Sequence, residues 1–183
     1  RRQLTWRDYY LAVHFHFRNI YHFYDERYVA IKWRNDSAEC KLLWTGQTGF
    51  VLVDAAMREL NETGLMHNRY RLIVGFFSVK ILRINPFWIP ENPEHEWHMG
   101  GQMYFSKKLI DACYINNTAN WHFVASDILD ASGQRFGHGW SGRSYSLKPK
   151  PEDAEYLRKW QPKKCELMCD AKMRWQEWRS MTI

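Results

Sequence analysis

Cysteine is scarce in this chain of 183 residues, with four in all, at Cys40, Cys113, Cys165 and Cys169. Small folds stapled by disulfides are cysteine-dense, so that class is excluded. Only Cys165 and Cys169, one helical turn apart, lie close enough in sequence to share a metal, and no His or further Cys stands beside them. No metal site is expected, and the four read as reduced thiols of an intracellular protein of cytoplasm or nucleus. Proline is sparse as well, six residues, three of them between positions 83 and 101. No apolar run approaches the roughly 20 residues a membrane-spanning helix needs, so no membrane partner is expected. No segment alternates strictly enough to demand a sheet. Asn35, Asn61 and Asn116 each open an N-x-S/T triplet, but no leader of charged then apolar residues accompanies them. The chain begins Arg-Arg rather than Met and reads as a piece of something longer.

Aromatic residues, by contrast, are abundant: 16% of the chain, with ten Trp. Trp in a helical protein packs cores, stacks on planar ligands, or does both. The net charge of +6 and pI near 9.2 permit contact with nucleic acid without requiring it. The length is that of one domain with a real core.

Residues 3–24 read as a long helix carrying Trp6, Tyr10, Val13, Phe17 and Tyr21 on one stripe. His14 and His16 lie two apart on it, so they point different ways and do not chelate one metal together. Residues 25–50 read mostly as connection, anchored by Trp33 and Trp44. Residues 83–101, rich in Pro and ending in Gly100-Gly101, read as a loop. Gln102 to Asp111 reads as a helix, and the Asn-rich stretch 116–120 as a turn leading into Trp121 and a short helix. Residues 131–150 are irregular, Pro151 opens a helix through Trp160, and residues 165–183 form an amphipathic tail. The fold class is all-α, one helical domain spanning 1–183.

The most informative stretch runs from Trp44 to Lys80, WTGQTGFVLVDAAMRELNETGLMHNRYRLIVGFFSVK. Val53, Ala56, Met57 and Leu60 recur at helical spacing while Asp54, Arg58 and Glu59 are expected to face away. Gly64 stands where a helix ends in a left-handed residue. His67, Asn68, Arg69 and Arg71 then open a second helix, where exposed N–H groups and the helix dipole favour an anionic ligand. Beyond them the helix turns apolar through Ile73, Val74, Phe76, Phe77 and Ile81. So many polar groups ahead of an apolar helix point to a site for something anionic or planar.

The order W-x-G-x-T-G, V-D-A-A-M-R-E-L-N-E-T-G and M-H-N-R-x-R resembles the flavin-binding helical domain of DNA photolyases and cryptochromes. QLTWRDYY near the start, LIDACYINNTANW in the middle and EYLRKWQP towards the end continue the likeness in the family's order over most of residues 3–162. Several motifs in register are far more specific than any one of them. Segment 83–101 is longer than in relatives and reads as an insertion.

The resemblance implies FAD as cofactor and assigns its site to Arg71, Asp111, Ala112, Cys113 and Asn117. Arg71 and Asp111 are expected to pair beside the flavin, a carboxylate there needing a cationic partner, and Asn117 to face the ring's N5 edge. Trp33, Trp121 and one of Trp97 or Trp88, with Trp97 preferred, match a tryptophan chain that feeds electrons to the flavin. Gln3, Trp6, Arg7, Tyr10, Asn68, Arg69 and Arg135 match a surface for DNA containing pyrimidine dimers. There Trp6 would stack on the flipped lesion, Gln3 and Asn68 would bond its edges, and the Arg residues would meet phosphates.

Departures from the pattern are Gln3 for Glu, Cys113 for Asp, Phe123 for Trp, Thr118-Ala119-Asn120 for an Asn-Gly-Gly-like run, and Phe50-Val51 for Tyr-Pro. The family also carries an N-terminal antenna domain and a segment that holds the FAD phosphates, and neither precedes Arg1. The reading is therefore the flavin-binding portion of a deoxyribodipyrimidine photolyase that uses blue light and reduced FAD to split dimers, the chain alone binding FAD weakly or not at all. A cryptochrome-like photoreceptor without repair, or a split chain needing an N-terminal partner, are the alternatives.

Overall fold

The computed structural model describes residues 2–16, 29–91, 95, 97–125 and 147–161. Residues 17–24 of the expected first helix, the tail 165–183 with Cys165 and Cys169, Arg135, and most of segment 131–150 lie outside the described residues. Among the described residues every regular element is helical and no strand occurs.

Helix α1 spans Arg2–His16, α2 Ser37–Trp44, α3 Val51–Thr63, α4 Asn68–Phe76, α5 Gly101–Lys108, α6 Tyr114–Ala125 and α7 Ala154–Trp160. A π-helical turn, Phe77–Ile81, extends α4, and a 3₁₀ turn, Pro151–Asp153, leads into α7. Helices α3 and α4 pack on each other, α7 lies against α3, and α6 contacts α1, α4 and α5. The main core gathers Trp44, Leu52, Val53, Met57, Leu60, Ile73, Phe77, Phe105 and Trp121. A second, smaller cluster joins α1 to α6 through Tyr10 and Ala119, with Trp6, Tyr9, Ile115 and Phe123 packed around them.

Two expectations need correction. Asp54 does not face away. Its carboxylate is fully buried and accepts hydrogen bonds from Thr48 N at 2.7 Å, Thr48 Oγ1 at 2.6 Å and Gly49 N at 2.9 Å. The Gly-rich turn thus wraps around this anion, which compensates the desolvation of a charge. The described residues 29–50 are connection over most of their length, but they also hold helix α2, which Asp36 caps by accepting from Glu39 N at 2.9 Å. The D-S-A-E sequence was the available signal for that helix start. Residues 116–120 are not a turn but lie inside α6, whose side-chain repeat decides the site.

Gly64 ends α3 with φ 71°, the left-handed conformation expected there. Its carbonyl accepts from Ile110 N at 3.0 Å, and a Cβ built on it would stand 2.6 Å from Ile110 Cγ2. The helix terminus and the loop that carries Asp111 are therefore in direct contact, and the missing side chain is what allows it.

Candidate functional site

Two helix faces form a cavity of about 210 Å³. From α4 come Asn68, Arg71, Leu72 and Gly75, and from α6 and the residue before it come Cys113, Asn116, Asn117, Asn120, Trp121 and Val124. Both sets follow the i, i+3, i+4, i+7 repeat of one helix face. Phe105, Leu109, Asp111 and Ala112 complete the wall. Ligand pockets run to about 300–1,000 Å³, so this cavity suits a ring system rather than a whole dinucleotide.

Arg71 and Asp111 meet across the cavity mouth. Arg71 Nη2 donates to both Asp111 carboxylate oxygens, at 3.0 and 2.9 Å, while its Nε donates to the Met66 carbonyl at 2.7 Å. The guanidinium is held from two sides. The expected buried carboxylate is not found, because the Asp111 side chain is 55% exposed. Asp111 also follows α5 instead of ending it: the helix stops at Lys108 and the carboxylate rises on the turn tied to Gly64.

Asn117 is fixed by opposite demands. Its Nδ2 donates to the Gln102 carbonyl and to Ser106 Oγ, each at 2.8 Å, and its Oδ1 accepts from Trp121 Nε1 at 3.1 Å. The indole N–H only donates and a carbonyl only accepts, so the amide orientation is determined. Trp121 is 3% exposed, meets Phe105 edge to face at 5.1 Å, and closes on Gly101 so tightly that any Cβ there would strike its ring. Phe105 in turn lies 6.5 Å from Trp44, which stacks on Tyr104 at 4.6 Å. An aromatic path thus leads from the cavity wall to Trp44, a residue that sequence reasoning treated only as an anchor.

The cavity brings together Asn68, Arg71, Asp111, Ala112, Cys113, Asn117 and Trp121 of the expected site residues. Trp33, Trp88 and Trp97 do not line it. They sit part-buried against the main core, Trp97 stacked on His95 at 4.2 Å with Lys41 Nζ 5.3 Å from its ring. Gln3 lies in the first turn of α1 and Arg135 outside the described residues. Trp6 packs with Tyr9 and Tyr10, and Arg7 pairs with its neighbour Asp8 at 3.0 Å on the surface. Tyr10, expected at the DNA surface, is instead 6% exposed and packs on Ala119, so it serves the α1–α6 contact.

Arg69 also needs reassignment from a phosphate partner. Its Nη1 and Nη2 grip the fully buried Asp153 carboxylate at 2.6 and 3.0 Å, and Tyr70 hydroxyl donates to the same group at 3.0 Å. Burial alone would raise the Asp153 pKa. Hydrogen bonds from Arg69, Lys150 N and Tyr70 outweigh it and leave the carboxyl below its usual range. Burial, with the hydrogen bond to Asp153, pushes the Tyr70 hydroxyl up to about 12. Tyr156 stacks on Tyr70 at 4.1 Å and donates to Glu59 Oε2 at 2.7 Å. This network docks the segment 150–156 onto α3 and α4.

Sequence reasoning missed Leu72, Gly75, Phe105, Leu109, Asn116, Asn120 and Val124 as wall residues. The α6 members were recoverable from their helical spacing once 116–120 is read as helix. Phe105 and Leu109 carried no local signal. Among the described residues no three His, Cys, Asp or Glu side chains cluster to hold a metal, and no helix is long and apolar enough to cross a membrane.

The family described as "FAD binding domain of DNA photolyase" matches residues 1–181. A deoxyribodipyrimidine photo-lyase of Vibrio cholerae is 37% identical over 132 residues, covering 72% of this chain and 25% of that protein. A cryptochrome DASH of Gloeobacter violaceus is 36% identical over 162 residues, 87% of this chain and 29% of that protein. A bacterial class III photolyase of Agrobacterium tumefaciens superposes with TM-score 0.71 at 30% identity, covering 88% of this chain and 31% of that one. The chain spans about a quarter to a third of the length of these relatives. With the family's sequence matched almost end to end and its helical fold reproduced, this chain belongs to the FAD-binding domain family of DNA photolyases and cryptochromes.

Proposed function

We propose that this chain is the flavin-binding portion of a deoxyribodipyrimidine photolyase, and that the cavity between α4 and α6 takes the isoalloxazine ring of FAD. One observation carries the reading: Arg71–Asp111, Asn117 and Trp121 converge on a single wall beside the apolar surface of Phe105, Leu72 and Val124. A flat heterocycle with a polar edge needs that combination. The volume fits the ring, and the chain offers little at this cavity for a diphosphate.

When bound and reduced, FAD supplies a light-excitable electron donor. The chain's own residues bind and orient. Arg71 holds Asp111 at the mouth, where its exposed carboxylate accepts a hydrogen bond from the ligand's polar edge. Asn117 and Trp121 hold each other, fixing the indole in the wall and keeping water from that face. Asn68, at the first position of α4, places an amide where cavity and outer surface meet. Trp6, Gln3 and Arg7 on α1 are the proposed contacts to DNA, with Trp6 presenting its ring for base stacking. Trp33, Trp97 and Trp121 remain the proposed electron-transfer chain, together with Trp44 or Phe105 as a packed path from the cavity wall.

The likeness to cryptochrome DASH favours a second reading, a photoreceptor that uses the same cavity without repairing DNA. A light-dependent repair assay on the longer protein separates them: loss of cyclobutane or (6-4) dimers under blue light supports the lyase, and intact lesions with photoreduced flavin refute it. A third reading is a chain that works with an N-terminal partner. Co-expression that yields yellow protein only when the partner is present supports that arrangement.

A further inference from the structure

Helix α1 is apolar on two sides. One side, with Trp6, Tyr9 and Tyr10, closes on Ile115, Ala119 and Phe123 of α6. The other carries Leu4, Leu11 and Phe15, whose helical spacing places all three on one face. These three are 56%, 43% and 76% exposed. Asp8 falls between Leu4 and Leu11 on that face and is held by its neighbour Arg7 at 3.0 Å. Scattered apolar residues on a surface need no cover. A stripe in register on one helix is different, because a helix that is apolar on both sides is one that is buried on both. Among the described residues nothing covers the stripe.

Resting on the reading that this chain is one portion of a longer protein, we propose that the Leu4–Leu11–Phe15 face of α1 is a seam, covered by an apolar face of the polypeptide that precedes α1 in that protein. Size decides between occupants. Independent partners bury about 1,200 Å² or more in total and must also offset their lost translational and rotational freedom. Three side chains on a helix of four turns offer too little for that, which argues against a second copy or a separate protein held by this face alone. A covalently joined segment needs far less contact, because its effective concentration is on the order of millimolar. The relatives have room for such a segment, since this chain spans about a quarter to a third of their length. A polypeptide entering α1 at Arg2 arrives within one turn of Leu4 and reaches the stripe through a short connection.

Leu11→Cys provides the first measurement. This chain and the longer protein, each with the substitution, are treated with a maleimide under native conditions, and modification at position 11 is followed by peptide mass spectrometry. Position 11 should react readily in the chain alone and about tenfold or more slowly in the longer protein. Leu11→Glu combined with Phe15→Glu provides the second. The pair should leave the melting temperature of the chain alone unchanged, as exposed substitutions do, and lower that of the longer protein by several degrees. Equal labelling in both proteins, or a longer protein that melts as before with both glutamates in place, overturns the inference. Flavin binding by that same protein would leave the assignment of the cavity standing. Slow labelling already in the chain alone overturns it too: the face then belongs to a second copy if sedimentation shows a dimer, and to the chain's own residues if it does not. A reading frame that opens at α1 removes the inference together with the reading on which it rests.

Discussion

Asp153 shows what a single residue contributes here. Its carboxylate is fully buried, and its charge is sustained by Arg69, Tyr70 and the Lys150 backbone. Removing one member of such a pair strands the other, so Asp153→Ala should cost about 3 kcal/mol at neutral pH in chemical denaturation. The pH dependence has a definite sign. The folded Asp153 pKa lies below the unfolded value of about 3.9, so its contribution is present above that value and lost as pH falls through the folded pKa. Tyr70 is raised to about 12, so its contribution is complete below the unfolded value of about 10 and lost as pH rises beyond. The wild-type advantage over Asp153→Ala should therefore be flat between about pH 5 and 9 and shrink towards acid. A gap that widens below pH 4 would contradict the assignment. Asp54 makes the same point within one turn: Asp54→Ala leaves Thr48 and Gly49 N–H groups without an acceptor and should cost about 2 kcal/mol by thermal denaturation.

At the level of elements, two glycines decide how helices meet. Gly64 combines φ 71° with the close approach of Ile110, so Gly64→Ala adds conformational strain of about 1–2 kcal/mol to a steric conflict with the loop that carries Asp111. Its expected signature is a lowered melting temperature together with weaker riboflavin binding, because the Arg71–Asp111 pair rides on that loop. Gly101, first residue of α5, lets the Trp121 ring of α6 close onto the backbone. Gly101→Ala should cost about 1–3 kcal/mol by overpacking and shift tryptophan emission to longer wavelength as the ring is displaced. Emission unchanged from wild type would show that Trp121 is not held this way. The elements also show where sequence patterns mislead. Five Asn or small residues in a row, 116–120, read as a turn, yet α6 forms because its buried face packs on α4 and α5 and its Asn117 bonds across to Gln102 and Ser106. Tertiary packing overrode local propensity there.

For the whole molecule, the cavity of about 210 Å³ sets the expectation for binding. It holds a ring and little more, so the chain should bind FAD and riboflavin with affinities within about threefold, each tenfold gain requiring about 1.4 kcal/mol of further contact. Fluorescence titration of both ligands measures this. FAD binding a hundredfold tighter would mean that the chain also grips the diphosphate. The +6 charge belongs to this scale as well. Arg69 is committed to the buried Asp153, so net charge overstates the cations ready for phosphate.

The sequence by itself determined the helical class, the end of α3 at Gly64, and the family, because these rest on local spacing, a left-handed glycine and motifs in order. It placed Arg71 and Asp111 as candidates through resemblance, since nothing in a separation of forty residues announces contact. Only the tertiary structure decided that Asp54 is buried, that Arg69 serves Asp153 rather than solvent, and that Asn117 is held between Gln102, Ser106 and Trp121. The physical reason is common to all three. Whether a polar side chain is solvated, paired or waiting for a ligand depends on which distant segment covers it, and that is settled only when the helices close on one another.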